Sequence, residues 1–141
     1  MIVEARGHPN VTAKHPSTFE ITRESDIGVS ATCVVGVGSA VGARHLPRSF
    51  KSYLRNGGTV RVVLVAGDVR DEVVGRGDPR MSFDDPVSMV FRRSDYVDGR
   101  TVLVGCDKGA GDLSRELVER LRRGAPLRVE LSPVGNSLFK S

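Results

Sequence analysis

The segment GARHLPRSFKSYLRNGGTVRVVL, residues 42–64, returns 67 residues later as GAGDLSRELVERLRRGAPLRVEL, residues 109–131. Gly42-Ala43, Leu46, Arg48, Leu54-Arg55, Gly57, Arg61-Val62 and Leu64 all recur. Upstream the spacing is 70: Arg6-Gly7-His8-Pro9 meets Arg76-Gly77-Asp78-Pro79, Pro16 meets Pro86, and Arg23 meets Arg93. Skipping Glu24 matches Ser25-Asp26 to Ser94-Asp95, Thr32 to Thr101 and Val35-Gly36 to Val104-Gly105. Two more residues are skipped after Gly36. The result is 20 identities over 56 pairs, against about 4 for unrelated chains of ordinary composition. The sequence reads as a tandem duplication, with residues 6–64 and 76–131 as its copies.

Each copy carries the same succession of signals. Ile2–Ala5 is extended and runs into Gly7-His8-Pro9, then into an extended Val11–His15. Thr18–Arg23 and Ser88–Arg93 alternate as strands do, and Thr32–Val37 and Thr101–Cys106 are short β-branched runs of buried-strand type. A helix follows in each copy. Pro47 suits the first helical position of one, spanning 47–56 with Gly57 as its C-terminal cap. Asp112 suits the N-cap of the other, spanning 113–123 and closed by Gly124. Leu46, Phe50 and Leu54 form one apolar face, and Leu113, Leu117, Val118 and Leu121 form the other. A strand closes each copy, at Val60–Val65 and Leu127–Leu131.

The expectation is an α+β fold built from a duplicated β-β-β-α-β unit. One unit is too small to bury both its sheet face and its helix, so the two share a core. The expected architecture is a mostly antiparallel sheet, curled into a pseudo-two-fold barrel or sandwich with two covering helices. Residues 1–141 make one domain, with repeat one at 1–66, repeat two at 71–132 and a loose tail at 133–141. Ala66–Gly75 links the repeats and turns at Gly67-Asp68.

The 141 residues are 39% hydrophobic and 27% charged, a globular balance. No apolar run approaches the roughly 18 residues of a membrane span. The start has no basic stretch followed by an apolar one, so a cytoplasmic protein is expected. Cys33 and Cys106 form no Cys-x-x-Cys pair and are expected as reduced thiols on strands. The net charge is +4, which favours anionic partners: RNA or a phosphorylated metabolite.

The copies differ informatively in charge. His8 and His15 stand where the second copy has Asp78 and Asp85, and Asp107-Lys108 stands where the first has Ala40-Val41. If the first segment of one copy lies beside the loop before the other copy's helix, His8, His15, Asp107 and Lys108 converge in one composite site. There a histidine can move protons, and Lys108 can hold an anion beside free backbone N–H groups, with Asp112 and Arg115 adjoining. A small enzyme using this His/Asp/Lys set is the alternative to a binding protein. His8 and His15 find no third metal ligand at suitable spacing. Gly36-Val37-Gly38-Ser39-Ala40-Val41-Gly42 has the wrong last spacing for a dinucleotide loop. No metal or cofactor is expected. With two Tyr, five Phe and no Trp, the chain is poorly supplied with stacking platforms, so RNA contact would rest on arginines. Arg115, Arg120, Arg122 and Arg123 form the first patch to consider, with Arg44, Arg48 and Arg55 near the other helix.

The string Arg6-Gly7-His8-Pro9-Asn10-Val11-Thr12-Ala13-Lys14-His15, then Thr18–Thr22, resembles an archaeal family of uncharacterised proteins, domain of unknown function three-seven-one. Met89–Tyr96, Gly99-Arg100-Thr101, Asp107-Lys108 and Asp112–Leu117 carry the same likeness, which reaches about Leu131. The resemblance implies an archaeal cytoplasmic protein and no assigned activity. The family pattern has an Asp-Lys pair before both helices and a histidine where Asp85 stands. Ala40-Val41 and Asp85 depart from it here.

Overall fold

Gly67, with φ of +65°, opens a two-residue turn that sends β4 (Thr59–Ala66) straight back as β5 (Val69–Arg76). Glycine at the first central position suits a hairpin that must follow the right-handed twist of its strands. The linking segment is therefore mostly strand, and only Gly67-Asp68 is turn. In the computed structural model, which describes residues 1–134, the other elements are β1 (Ile2–Arg6), β2 (Thr18–Thr22), β3 (Val34–Gly36), α1 (Arg48–Arg55), β6 (Ser88–Arg92), β7 (Thr101–Leu103), α2 (Arg115–Arg122) and β8 (Pro126–Pro133).

The fold is α+β, with two helices and two four-stranded sheets. The first sheet has the order β1-β8-β4-β5 and is antiparallel throughout. The second has the order β3-β2-β6-β7; β2 and β6 are antiparallel, while β3 and β7 pair in parallel on the outside. The sheets do not close into the barrel that was one of the expected forms. Among the described residues single bridges join their corners, Arg6 to Val37 and Arg76 to Val104. Just past each bridge a glycine, Gly38 (φ +64°) or Gly105 (φ +59°), turns the chain away before pairing can extend.

Both sheets and both helices feed one buried cluster. Phe19 and Phe91, opposite each other on β2 and β6, stack with ring centroids 4.5 Å apart. Leu54, Leu117 and Leu121 from the helices meet Val62, Leu64, Val129 and Leu131 from the first sheet in the same cluster, all fully buried. Each such side chain contributes about 1.5–3 kcal/mol by leaving water.

Several boundaries move for identifiable reasons. Asp112 does not cap α2. It closes the preceding 3-10 turn, accepting the Gly109 N–H at 2.9 Å, and Ser114 caps the helix through the Leu117 N–H. Gly57 and Gly124 do follow their helices with φ of +80° and +83°. Val11–His15 forms no strand, because Ala13 takes a left-handed φ of +48° and Lys14 and His15 both donate to the Thr32 carbonyl. Cys33 lies in a turn and Cys106 just beyond β7. Of the expected tail, Pro133 belongs to β8 and Val134 donates to Thr59; residues 135–141 lie outside the described residues.

The spacing of matching hydrogen bonds also changes at another place than the identities suggest. Gly38 donates to Glu24 and Gly105 to Ser94, a spacing of 70 between acceptors. Val34 donates to Ala31 and Thr101 to Asp98, a spacing of 67. The spacing of matching bonds thus falls from 70 to 67 between Ser25 and Ser30, and the bonds of β3 match those of β7 two residues later than the identities suggest.

Each half lays its first segment on the helix of the other. Gly7 packs so closely on the Leu121 carbonyl that a Cβ would strike it, and Gly77 does the same at Leu54. At the opposite helix ends Gly111 donates to the His15 carbonyl at 2.8 Å, and Arg44 to that of Asp85 at 2.9 Å.

Candidate functional site

All three histidines of the chain spend Nδ1 on the backbone. His8 accepts the N–H of Asn10 at 3.0 Å, His15 those of Ser17 and Thr18 at 3.2 and 3.1 Å, and His45 that of Gly42 at 2.9 Å. Each has an aspartate counterpart with the same task. Asp78 accepts from Arg80 at 2.9 Å, Asp85 from Val87 and Ser88 at 2.8 Å each, and Asp112 from Gly109 at 2.9 Å. The imidazole Nδ1 of histidine and a carboxylate oxygen of aspartate are both acceptors two bonds beyond Cβ, so either closes such a turn. At these three places a histidine of the first half and an aspartate of the second thus play one hydrogen-bonding role.

The first segment does run along α2, the arrangement on which the composite site depends. It places the candidates in different surroundings, however. His8 follows Gly7, which donates to Ala125 beyond the C-terminal end of α2, while the His15 carbonyl meets Gly111 before its start. An eight-residue helix about 12 Å long lies between. His8 Nε2 meets Asp26 at 2.6 Å. Lys108 Nζ lies 2.6 Å from Asp71, whose other oxygen accepts the Ser114 N–H at 2.8 Å. Burial pushes the Asp71 carboxyl up, but its bonds from Lys108, Ser114 and Glu72 outweigh that and lower its pKa; the same carboxylate raises that of Lys108. Asp107 exchanges two hydrogen bonds with the Val74 backbone, both at 3.0 Å. The couple therefore ties the edge of β5 to the start of α2.

Arg115 is spread over three carbonyls, those of Leu113, Ala110 and Ala13, at 3.0, 2.9 and 3.2 Å. Asp112 also meets Arg93 at 3.2 Å. Arg120 pairs with Asp68, Arg123 with Glu119, and Arg55 donates to Met81 and Ser82. Among the described residues no three His, Cys, Asp or Glu side chains gather as a metal site. A depression of about 260 Å³ on the first sheet is lined by Glu4, Val65, Gly67, Pro126, Leu127 and Arg128, and by none of the candidates.

The start of α1 is arranged differently. Pro47 occupies its N-cap without a side-chain acceptor, and its first turn holds no acid. Arg44 and Arg48 are exposed there, and neither lies within salt-bridge distance of a carboxylate among the described residues. Lys51 donates to the Arg44 carbonyl at 2.7 Å. The Arg23 guanidinium, from the end of β2, donates to the Pro86 carbonyl at 3.2 Å, one residue from the Asp85 carbonyl that accepts the Arg44 backbone N–H. Its sequence signal was ambiguous, because Arg23 recurs as Arg93 and so reads as a residue of the fold. The two helix starts thus differ: Asp71, Asp112 and Glu116 stand at that of α2, whereas the first turn of α1 holds no acid and the nearby Asp85 carboxylate accepts the Val87 and Ser88 N–H groups.

An α+β protein of two four-stranded sheets and two helices is the class these features define. Residues 3–134 match the family model described as Domain of unknown function (DUF371), and the chain belongs to that family. It is 32% identical over 126 residues, 89% of this chain and 93% of the relative, to Uncharacterized protein MJ0206 of Methanocaldococcus jannaschii. No helix among the described residues is long and apolar enough to cross a membrane.

Proposed function

We propose that this chain is a fused pair of repeats, related by a pseudo-two-fold axis, that binds the phosphates of an RNA strand at the start of α1. The duplication is supported by strand orders that read the same from either end once β1 is exchanged with β5, β2 with β6, β3 with β7 and β4 with β8. The two corner bridges and the three His/Asp exchanges support it further.

One observation carries the binding reading: Arg44 and Arg48 are exposed and outside ion-pair distance at a helix start that has neither a capping side chain nor an acid in its first turn, and Arg23 reaches the Pro86 carbonyl of the adjoining turn. Free N–H groups and unpaired guanidiniums together favour an anion. The site is composite, since the first half supplies the cations and the Asp85–Val87 turn of the second supports them. RNA is preferred to a phosphorylated metabolite or a reaction because the histidines are dispersed and the α1 start is not part of the depression on the first sheet.

The test is anisotropy of a labelled single-stranded RNA over a salt series. Binding that weakens with salt, is lost in Arg44→Glu/Arg48→Glu and survives Lys108→Met and His15→Asp supports this reading. Binding abolished by Lys108→Met but not by the arginine variant would return the site to α2.

A further inference from the structure

Tyr96 is the one strongly exposed aromatic side chain among the described residues, at 59%. The Arg92 guanidinium lies over its ring, 4.9 Å from the centroid. Arg92 is itself nearly buried and held in place, Nε on Thr101 at 3.0 Å and Nη2 on Asp98 at 3.1 Å. One face of the ring thus rests on a fixed cation. The phenol adds few rotatable bonds, so ordering it costs little.

We propose that Tyr96 is a stacking platform for a base of single-stranded RNA, a contact separate from the phosphate site at α1 though resting on the same RNA reading. Stacking on a ring backed by a guanidinium is sequence-tolerant, because every base presents a π-face. Each arginine around it already has a carboxylate partner. Arg100 and Arg92 share Asp98, Arg80 meets Asp78 and donates to the Asp95 carbonyl, and Arg93 meets Asp112. The platform therefore adds affinity without adding salt dependence, which separates it from the arginines of α1.

The experiment measures binding of a labelled oligoadenylate RNA to the full chain over a salt series, for the wild type, Tyr96→Ala and Tyr96→Phe. Tyr96→Ala is expected to weaken binding about tenfold at every salt concentration, leaving the salt slope unchanged. Tyr96→Phe is expected to stay close to wild type. RNA binding that is unchanged in Tyr96→Ala overturns the platform and leaves the α1 site standing. A loss that comes with a shallower salt slope also overturns it, as a charge effect. Wild-type protein that binds pyrophosphate but no RNA overturns the platform while keeping anion binding; binding neither overturns both.

Discussion

The imidazole of His15 and the carboxylate of Asp85 hold equivalent pairs of backbone N–H groups, 70 residues apart. Replacing His15 with aspartate keeps the acceptor, whereas alanine leaves the Ser17 and Thr18 N–H groups without it. His15→Ala is expected to lose about 1–2 kcal/mol, and His15→Asp less than about 0.5 kcal/mol. Urea unfolding midpoints at neutral pH measure both.

Gly7→Ala forces a methyl group into the Leu121 carbonyl, which cannot move without breaking the end of α2. The expected cost is about 3 kcal/mol or more, lowering the Tm on the order of 10 °C. Gly57→Ala is the control. Nothing lies within 4 Å of its Cβ position, so only the left-handed φ is strained, at about 1–2 kcal/mol.

Burial pushes the Asp98 carboxyl up, but its bonds from Arg100 and Thr101 prevail and hold it at about 2. The folded pKa lies below the unfolded one of about 3.9, so the stabilisation is present above pH ~4 and disappears as pH falls toward 2. Asp98→Asn is expected to be less stable at neutral pH and to show a flatter acid limb between those values. Chemical denaturation across the range reads the slope.

Burial, with the Asp107 charge adding to it, pushes the Cys106 thiol up to about 12; burial and Glu20 push Cys33 up to about 11. Thiolate is the reactive form, so both residues are expected to react slowly with iodoacetamide at neutral pH and quickly in denaturant. Mass spectrometry of timed samples distinguishes the two states.

Arg44→Gln and Arg48→Gln should each reduce the slope of log K against log salt for single-stranded RNA by about 0.7. Arg122→Gln, on the other helix, should leave it unchanged. The salt series used for the binding test supplies the comparison.

Elements were legible where one residue dictates local geometry. Gly67 announces the β4–β5 turn, and Gly57 and Gly124 the helix ends. The register of β3 was not, because Val35-Gly36-Val37-Gly38 repeats every two residues and matches Val104-Gly105 equally well at two positions. Tertiary bonds at Arg6 and Glu24 decide between them. The end of the would-be strand at Val11–His15 depends on Ala13, a residue type that gives no hint of a left-handed φ. The histidines looked exceptional because letters record imidazole and carboxylate as different, while the turns use only an acceptor. The arginines near both helices were legible, but not which of them the fold itself uses. Arg44 and Arg115 look alike in sequence, and only the carbonyls around Arg115 separate a structural guanidinium from an available one.

Gly7 beneath Leu121 has a consequence for biosynthesis. The stretch that begins with the seventh residue must wait, as the chain leaves the ribosome, until more than a hundred further residues have been made before its resting place exists. The first half emerges with a helix and no cover for it, so stable structure cannot accumulate residue by residue during translation. The polypeptide is expected to remain protease-sensitive until α2 has cleared the exit tunnel and then to become resistant in a single step.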